Sequence, residues 1–252
     1  MDLETRQLQK CLSDANQLPE ILILKPTTTS TNDDVKAFAL KGMQSVLVCS
    51  EKQTQGRGQQ QRAWVSPEGN IYLSTLLNLH TPVDGRLALE IALNILQMPS
   101  LQNLDLQIKW PNDLYHNNKK WGGILVEPIS THQVVIGVGM NLHPIHDSNI
   151  NQATSSLSEL GLTPKHRIQL IAELYLAIQQ AGQWFNFNCY NLATRFNHYA
   201  SFMNEAIRFE HSQGQTIGTF IGIQNDGAIK IKQDEEVKVF YQGRMRRILD
   251  NQ

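Results

Sequence analysis

The sequence lacks the features that mark membrane-spanning, secreted and polyanion-binding proteins. No apolar run approaches the length of a bilayer span, and the acidic start, Met1-Asp2-Leu3-Glu4, has no apolar segment of the kind found in signal peptides. The 22 Lys and Arg residues are balanced by 23 Asp and Glu residues, so no charge excess favours binding along a polyanion. We therefore expect a cytoplasmic protein that contacts no membrane.

Cysteine is scarce as well. The three cysteines, Cys11, Cys49 and Cys189, show neither metal-binding nor redox spacing, which is typical of a chain in a reducing compartment. Internal repeats and low-complexity tracts are also missing. Apolar residues make up 41% of the 252 residues, enough for one large domain and a small one without disulfide bonds.

Alternating and helical apolar patterns predict an α+β fold. Strands are predicted at 21–24, 46–49, 71–79, 106–110, 121–126 and 134–142, and helices at 4–17, from 31 to about 42, after 84 and across about 153–200. The pair Asn117-Asn118 predicts a hairpin before the fifth of these strands. Five short strands follow residue 205, separated by glycine-containing turns, which predicts a small SH3-like β-barrel. We place the domain boundary near Met203, giving domains 1–203 and 204–252.

A polar segment at 51–70 predicts a functional loop. Gly56 and Gly58 allow the backbone to approach a ligand closely, and Arg57 supplies a permanent guanidinium for phosphate or carboxylate. Arg62 and Trp64 follow, and an indole offers a flat face to a purine. From these residues alone, a flexible surface loop with ordinary charges is an equally good interpretation.

The motif Lys109-Trp110-Pro111-Asn112-Asp113 ends a predicted strand with a tight turn. A lysine at that point can neutralise a carboxylate and a phosphate that must approach each other. A solvent-facing lysine and ordinary turn chemistry for Asn112 and Asp113 are the alternative.

Two strands contain unusual glycines. Gly122 and Gly123 are adjacent, and Gly137 and Gly139 alternate before Asn141. Glycine weakens a strand, so it usually marks a bulge or the close approach of another group. Together the three motifs predict a site where a nucleotide activates a carboxylate, although each could have a purely structural role.

With these motifs in this order, the chain resembles the biotin protein ligases from about residue 21 to 250. The matching stretches are Ser30-Thr31-Asn32, Gln53 to Trp64, Lys109 to Asp113, Lys120 to Glu127, and Gly137 to Asn141. The resemblance implies a mixed β-sheet flanked by helices, like that of class II aminoacyl-tRNA synthetases. It also implies a two-step reaction: biotin and ATP, with Mg²⁺, give biotinyl-5′-adenylate, and a lysine of a biotin carboxyl carrier protein, such as that of acetyl-CoA carboxylase, then accepts biotin.

The resemblance also implies roles for individual residues. Lys109 and Arg57 would be catalytic, stabilising the reacting carboxyl and phosphoryl oxygens. The biotin site would consist of Ser30, Thr31, Asn32, Gln53, Arg57, Gly58, Gln59, Lys109, Gly122 and Gly123. The nucleotide would contact Arg57, Arg62, Trp64, Asn112 and Asn141. Ligands for the metal are not implied, and a homodimer that pairs sheet edges is compatible with the fold.

The loop departs from the pattern Gly-Arg-Gly-Arg-x-Gly-Arg that is common in that family. Gln59 replaces the second arginine, and Gln61 replaces a glycine. Because Gln59 removes a fixed charge, we expect weaker retention of the adenylate. Gln61 raises the question of whether the backbone there adopts a positive φ.

The N-terminus also differs from that of some family members. About twenty residues precede the first predicted strand, too few for the helix-turn-helix module that makes some members repressors. We therefore expect a short form that does not bind DNA.

Two other functions remain open at this point. A lipoyl or octanoyl transferase shares the catalytic fold but usually lacks the Lys-Trp-Pro-Asn-Asp string. An inactive biotin- or adenylate-binding regulator is suggested only by Gln59. Arg244, Arg246 and Arg247 could attract an acidic partner or form a solvated charge cluster, and the C-terminal domain could close over ATP, contact the carrier or only stabilise the fold.

Overall fold

The computed structural model describes residues 2–145, 147, 152–162 and 167–248. The helices are α1 (Leu3–Asp14), α2 (Thr31–Ala39), α3 (Arg86–Leu96), α4 (Arg167–Asn186) and α5 (Leu192–Tyr199). The strands are β1 (Ile21–Thr28), β2 (Val46–Gln53), β3 (Ile71–Asn78), β4 (Gln107–Lys109), β5 (Asp113–His116), β6 (Lys119–Pro128), β7 (Gln133–Met140), β8 (Ala206–His211), β9 (Gly214–Ile223), β10 (Ile229–Gln233), β11 (Glu236–Phe240) and β12 (Arg244–Arg247). None of the helices within these ranges is long and apolar enough to span a bilayer.

The first seven strands form one mixed sheet in the order β1-β2-β3-β7-β6-β5-β4. Only β1 and β2 run parallel to each other, and the remaining neighbours are antiparallel. Helices α1, α3 and α4 cover one face, where the interior residues of α3 recur at helical spacing as Leu87, Ile91 and Ile95. Helix α2 covers the other face with a smaller apolar cluster around Val35. The predicted mixed sheet flanked by helices is confirmed.

The last five strands form an antiparallel sheet in the order β11-β10-β9-β8-β12. Among the described residues, no ladder joins β11 to β12, so the closed SH3-like barrel stays a prediction. One continuous apolar core contains residues of both sheets, including Trp110 beside Phe209, whose ring centroids are 5.7 Å apart. The indole Nε1 of Trp110 also donates to the carbonyl of Gly227 at 2.9 Å. The boundary at Met203 stays a prediction, and the two sheets pack as neighbours across it.

Some predicted elements differ in extent. The helical stretch predicted across about 153–200 contains two helices, α4 and α5, and residues 153–157 are not helical. The apolar spacing of Ile168, Ile171, Leu174, Tyr175 and Ile178 after Pro164 predicts a helix, and α4 carries all five residues. Residues 163–166 of the stretch lie outside the described residues. The predicted hairpin is confirmed: Asn117 and Asn118 have φ angles of 45° and 62° between β5 and β6. These left-handed values suit the short polar side chain of asparagine.

Candidate functional site

A cavity of about 480 Å³ opens along one side of the mixed sheet, where strand ends, the start of α2, the loop after β2 and strand β12 meet. All of the residues predicted for the site line it except Gly122. Gly122 faces the opposite side of β6, because a Cβ there would lie 3.0 Å from Cδ1 of Leu114. Successive residues of a strand point to opposite faces, so only Gly123 can border the cavity. The interpretation of Gly122 as part of the cavity wall is therefore not supported.

One end of the cavity is a buried network of hydroxyl and amide groups. Gln53 Oε1 accepts hydrogen bonds from the backbone amide of Thr31 at 2.9 Å and from its hydroxyl at 3.2 Å. Ser74 Oγ lies 2.6 Å from Thr31 Oγ1 and 2.5 Å from Asn32 Oδ1. Ser30 precedes the first turn of α2 without capping it, so its hydroxyl keeps its hydrogen-bonding capacity at the cavity wall. This end can recognise a small polar ring with both donors and acceptors.

The alternating glycines of β7 make room for two side chains of the protein itself. A Cβ on Gly137 would lie 2.2 Å from Asn32 Oδ1, and a Cβ on Gly139 would lie 2.6 Å from Nε1 of Trp64. A Cβ on Gly123 of β6 would lie 3.2 Å from the same indole ring. The flat group that the glycine pattern predicted is therefore, in this structure, the indole of Trp64 lying against two strands.

Two polar atoms at this part of the cavity have no hydrogen-bond partner. They are Nε1 of Trp64, a donor, and Oδ1 of Asn141, an acceptor; both are buried and lack a partner in the described part of the chain. The amide nitrogen of Asn141 donates to the carbonyls of Ser155 at 3.1 Å and Lys120 at 3.4 Å, which fixes the direction of the oxygen. An unpaired buried polar group costs about 1–3 kcal/mol. A planar ligand that presents a donor and an acceptor on its edge would remove that cost once the indole shifts enough to expose the two atoms.

The loop after β2 is an ordered hairpin. Trp64 N donates to the carbonyl of Gly56 at 2.9 Å, and Gly58 N donates to that of Arg62 at 2.8 Å. Gly56 is required here because a Cβ would lie 2.4 Å from the hydroxyl of Ser66. Gln61 replaces a glycine of the family pattern at the tip of this hairpin, and its backbone does adopt a positive φ, of 59°. The interpretation of this segment as an unstructured surface loop is therefore not supported.

Arg57 is held by two carboxylates of the protein. Its Nη1 donates to Asp33 Oδ2 at 2.8 Å, its Nε donates to Glu127 Oε1 at 3.0 Å, and Nη2 contacts both groups. The hydrogen bonds from Arg57 lower the pKa of the Asp33 carboxyl and raise that of the guanidinium. Arg57 thus anchors the hairpin to α2 and β6, and its predicted contact with phosphate or carboxylate of a ligand stays a prediction.

Lys109 ends β4 at the cavity wall, as the motif predicted. Its Nζ donates to the hydroxyl of Tyr115 at 3.1 Å and lies 5.0 Å and 5.7 Å from the ring centroids of Tyr115 and Phe202. Asn112 uses its side-chain nitrogen to bind the carbonyl of Ile124 at 2.7 Å, which ties the turn to β6. The turn role of Asn112 is therefore observed, and its role in nucleotide binding stays a prediction.

Sequence reasoning missed several residues that line or support the cavity. Lys120 has its Nζ 4.9 Å from the ring centroid of Trp64 and 2.6 Å from Asp113 Oδ1. Ser74 supports the polar end, and Arg244 and Arg246 reach the cavity from β12. The local basic residues, two lysines at 119–120 and three arginines within 244–247, are the signal that the sequence offers. Nothing in the sequence indicates that they enter this cavity. Within the described ranges, no cluster of three or more His, Cys, Asp and Glu side chains could hold a metal ion.

Comparisons with known proteins find similar sequences and similar folds. The family described as "Biotin/lipoate A/B protein ligase family" matches residues 23–141. The bifunctional ligase/repressor BirA of Escherichia coli is 30% identical over 207 residues, which are 77% of this chain and 64% of that protein. The chain thus spans slightly less than two thirds of that relative.

A second relative is closer in length. The biotin--[acetyl-CoA-carboxylase] ligase of Mycobacterium tuberculosis is 28% identical over 89% of this chain and 86% of that protein. Among solved structures, the biotin protein ligase of Aquifex aeolicus in complex with biotin and ATP aligns with a TM-score of 0.76 at 23% identity, covering 90% of this chain and 99% of that one. At 23% sequence identity, this structural similarity shows a shared fold and nothing further.

Proposed function

From the match of residues 23–141 to the biotin/lipoate A/B protein ligase family, we propose that this protein is a biotin protein ligase. It would join biotin to a lysine of a biotin carboxyl carrier protein by way of biotinyl-5′-adenylate. The observation that carries the proposal is a single cavity that combines a buried hydroxyl and amide end with an unpartnered Trp64 and Asn141. Two relatives are named as ligases that act with biotin, which supports the same assignment.

The ureido ring of biotin would occupy the end formed by Ser30, Thr31 and Asn32, with Gln53 fixing the direction of the donors. Burying a polar ring costs free energy unless each of its groups finds a partner, which this network offers. Gly58, Gln59 and Gly123 border the space that the alkyl tail would need. The carboxylate would then reach Lys109.

Adenine would use the two unpartnered atoms. Asn141 Oδ1 would accept from the exocyclic amine, and Nε1 of Trp64 would donate to a ring nitrogen. Lys120, whose ammonium lies against the Trp64 ring, would hold the indole in place. Arg62 and Asn112 line the same cavity and complete the predicted nucleotide site.

In the first step, a carboxylate oxygen of biotin attacks the α-phosphorus of ATP, and pyrophosphate leaves with the electron pair of the broken bond. Lys109 lowers the repulsion between the two anionic partners as they approach. In the second step, the amine of the carrier lysine attacks the carbonyl carbon of the mixed anhydride, and AMP leaves. Neither step needs a nucleophile from the protein. Mg²⁺ would be held mainly by the phosphate oxygens of ATP.

Mass spectrometry of a carrier domain incubated with the protein, biotin and Mg-ATP tests the proposal. We expect a mass gain of one biotin on the carrier lysine, and none when biotin or ATP is omitted. Pyrophosphate exchange separates the alternatives: exchange that depends on lipoate would support a lipoyl transferase, and binding without exchange would support an inactive module. Either result would contradict the proposed function.

A further inference from the structure

The segment that joins α5 to β8 passes beside the end of β4. Ala200 forms a parallel bridge with Ile108, and the backbone amide of Ser201 donates to the Ile108 carbonyl at 2.9 Å. This pairing brings Phe202, the next residue, to the end of β4, where Lys109 lies. The connection between the two sheets therefore forms part of the surroundings of the proposed catalytic lysine.

The backbone of this segment fixes the position of the Phe202 side chain. Phe202 has a φ of 65°, a left-handed value that is an outlier for a bulky residue. Its carbonyl accepts from the amide of Glu205 at 3.0 Å, and the amide of Asn204 donates to the Phe220 carbonyl of β9 at 2.8 Å. Such a conformation persists only where the surrounding structure determines it. The buried ring of Phe202 is therefore held in one place.

Two aromatic rings lie against the ammonium of Lys109. The rings of Tyr115 and Phe202 are nearly perpendicular, at 84°, with centroids 6.0 Å apart. Lys109 Nζ lies over both rings, 5.0 Å from the centroid of Tyr115 and 5.7 Å from that of Phe202, and donates to the Tyr115 hydroxyl at 3.1 Å. Both distances fall within the range of about 6 Å at which a cation is attracted to a ring face. We call this pair of rings, Tyr115 and Phe202, the aromatic bracket.

The second sheet also contacts the aromatic bracket. The guanidinium carbon of Arg247, in β12, lies 5.5 Å from the centroid of Phe202. Arg247 forms an ion pair with Glu205 as well, with Nε 2.6 Å from Oε2. Groups from both sheets and from the segment between them thus fix the Phe202 ring beside Lys109.

An aromatic ring suits the role proposed for Lys109. The ammonium has to attract a carboxylate and a phosphate at the same time. A further carboxylate beside it would repel both of these anions, whereas the face of an aromatic ring attracts the ammonium and carries no net charge. Lysine also has a long flexible stem, and ordering it before the substrates arrive removes that entropic cost from the reaction.

We propose that Phe202 is a positioning residue for formation of the adenylate: together with Tyr115, it holds the Lys109 ammonium where the carboxylate and the α-phosphate meet. This inference rests on the proposed function. Phe202 does not line the cavity, so it acts through Lys109 and its effect belongs on the rate rather than on substrate binding. Phe202 is also part of the apolar core, so a test has to separate the electrostatics of the ring from its bulk.

Fluorination of the Phe202 ring makes that separation, because each fluorine withdraws electrons from the ring face and changes the shape little. The protein would carry phenylalanine with one, two or three ring fluorines at position 202, and biotin-dependent pyrophosphate exchange would be measured. We expect kcat to fall stepwise, by about two- to fivefold in total. The KM values for biotin and ATP should change by less than about twofold, since the cavity wall is unaltered.

Phe185 provides the matched control. Its ring is buried in α4, lies 5.4 Å from the guanidinium carbon of Arg86 and does not line the cavity. The same fluorinated series at position 185 weakens a similar contact elsewhere and should leave kcat unchanged. A kcat that does not respond to fluorination at position 202, or that responds equally at position 185, would overturn the positioning role and leave Phe202 as a core residue.

The position of the ammonium can also be measured without activity. Ring currents shift the NMR resonances of the Lys109 ε-methylene protons upfield, and Lys109→Arg identifies these resonances. In Phe202→Leu they should move downfield, whereas Phe202→Tyr, which keeps the ring, should retain the shift. Resonances that are the same in Phe202→Leu and the original protein would overturn the bracket. The expected shifts in a protein that forms no biotinyl-adenylate would contradict the proposed function and leave the aromatic bracket standing.

Discussion

Arg57 connects three parts of the protein through one guanidinium. It joins the hairpin to the first turn of α2 through Asp33 and to β6 through Glu127, which in turn accepts a hydrogen bond from Asn32 at 2.6 Å. A residue read from the sequence as a ligand contact thus also fixes the position of the polar end of the cavity. The carboxylates that hold it are 70 and 24 residues away in sequence, so no local pattern could have indicated them.

The Arg57 contact gives Asp33 a distinct acid titration. Because the folded pKa of Asp33 lies below its ordinary value of 3.8, the contact stabilises the hairpin above about pH 4. That contribution is lost as the pH falls through the folded pKa. In Arg57→Met the pKa of Asp33 should rise toward 3.8, as measured by side-chain carboxyl NMR titration. Lys25→Met, which removes the partner of the neighbouring Asp34, is the control and should leave the pKa of Asp33 unchanged.

Gln59 is the second informative residue. It lines the cavity with an uncharged amide where the resembling family commonly has arginine. We expect Gln59→Arg to slow the release of biotinyl-adenylate by about tenfold, since one added charge-assisted contact contributes roughly 1.5–3 kcal/mol. The rate at which labelled adenylate passes through a dialysis membrane measures this, with Gln61→Arg, at a neighbouring position that does not line the cavity, as the control. If Gln59→Arg left the release rate unchanged, the missing charge at position 59 would not account for weak retention of the adenylate.

At the scale of an element, β7 carries two glycines that make room for side chains of the two proposed ligand sites. Gly137 makes space for Asn32 at the polar end, and Gly139 makes space for Trp64 at the other. The two positions are two residues apart and therefore face the same side.

Substituting each glycine should affect a different substrate. Gly137→Ala would displace Asn32 and weaken biotin binding, whereas Gly139→Ala would displace the indole and weaken binding of AMP, each by about tenfold or more. Calorimetric titration with biotin and AMP checks both. Gly85→Ala is the control, because a Cβ there meets nothing within 4 Å. Equal losses of both ligands in both variants would show that the strand itself had been disrupted.

Most helices and strands could be predicted from the sequence, whereas the contacts between distant segments could not. Apolar alternation and turn residues predicted most strands, and the Asn117-Asn118 hairpin followed from local backbone preference. The sequence could not predict that the indole of Trp64 fills the space beside Gly139 of β7. Trp64 lies on the hairpin after β2, which is distant from β7 in sequence. The face of Gly122 depended on the register of β6, which a bulge between Leu114 and Tyr115 shifts relative to β5.

At the scale of the whole molecule, the two sheets share one apolar core. Trp110, next to the catalytic candidate Lys109, packs on Phe209 and donates to Gly227 in the second sheet. A disturbance of either sheet is therefore transmitted to the end of β4. Strand β12 pairs with β8, which carries Phe209, so the second sheet reaches the cavity beside this contact, and composition could not reveal it.

The shared core predicts a single unfolding transition. Trp110→Phe removes a buried hydrogen bond and leaves the Gly227 carbonyl unpaired, which should lower the free energy of unfolding by about 1–3 kcal/mol. Urea titrations followed by circular dichroism and by tryptophan fluorescence should give coincident midpoints. Trp184→Phe, at a partly exposed tryptophan, should cost less. Two separate transitions would mean that the sheets fold independently.

The position of β12 also orders events in time. Ser30 and Gln53 leave the ribosome early, whereas Arg244 follows roughly 200 residues later, about 10 to 40 s at ordinary rates of synthesis. During that interval the nascent chain can form α2 and the first strands, but one wall of the cavity has not yet been made. Synthesis thus completes this wall of the cavity only near its end.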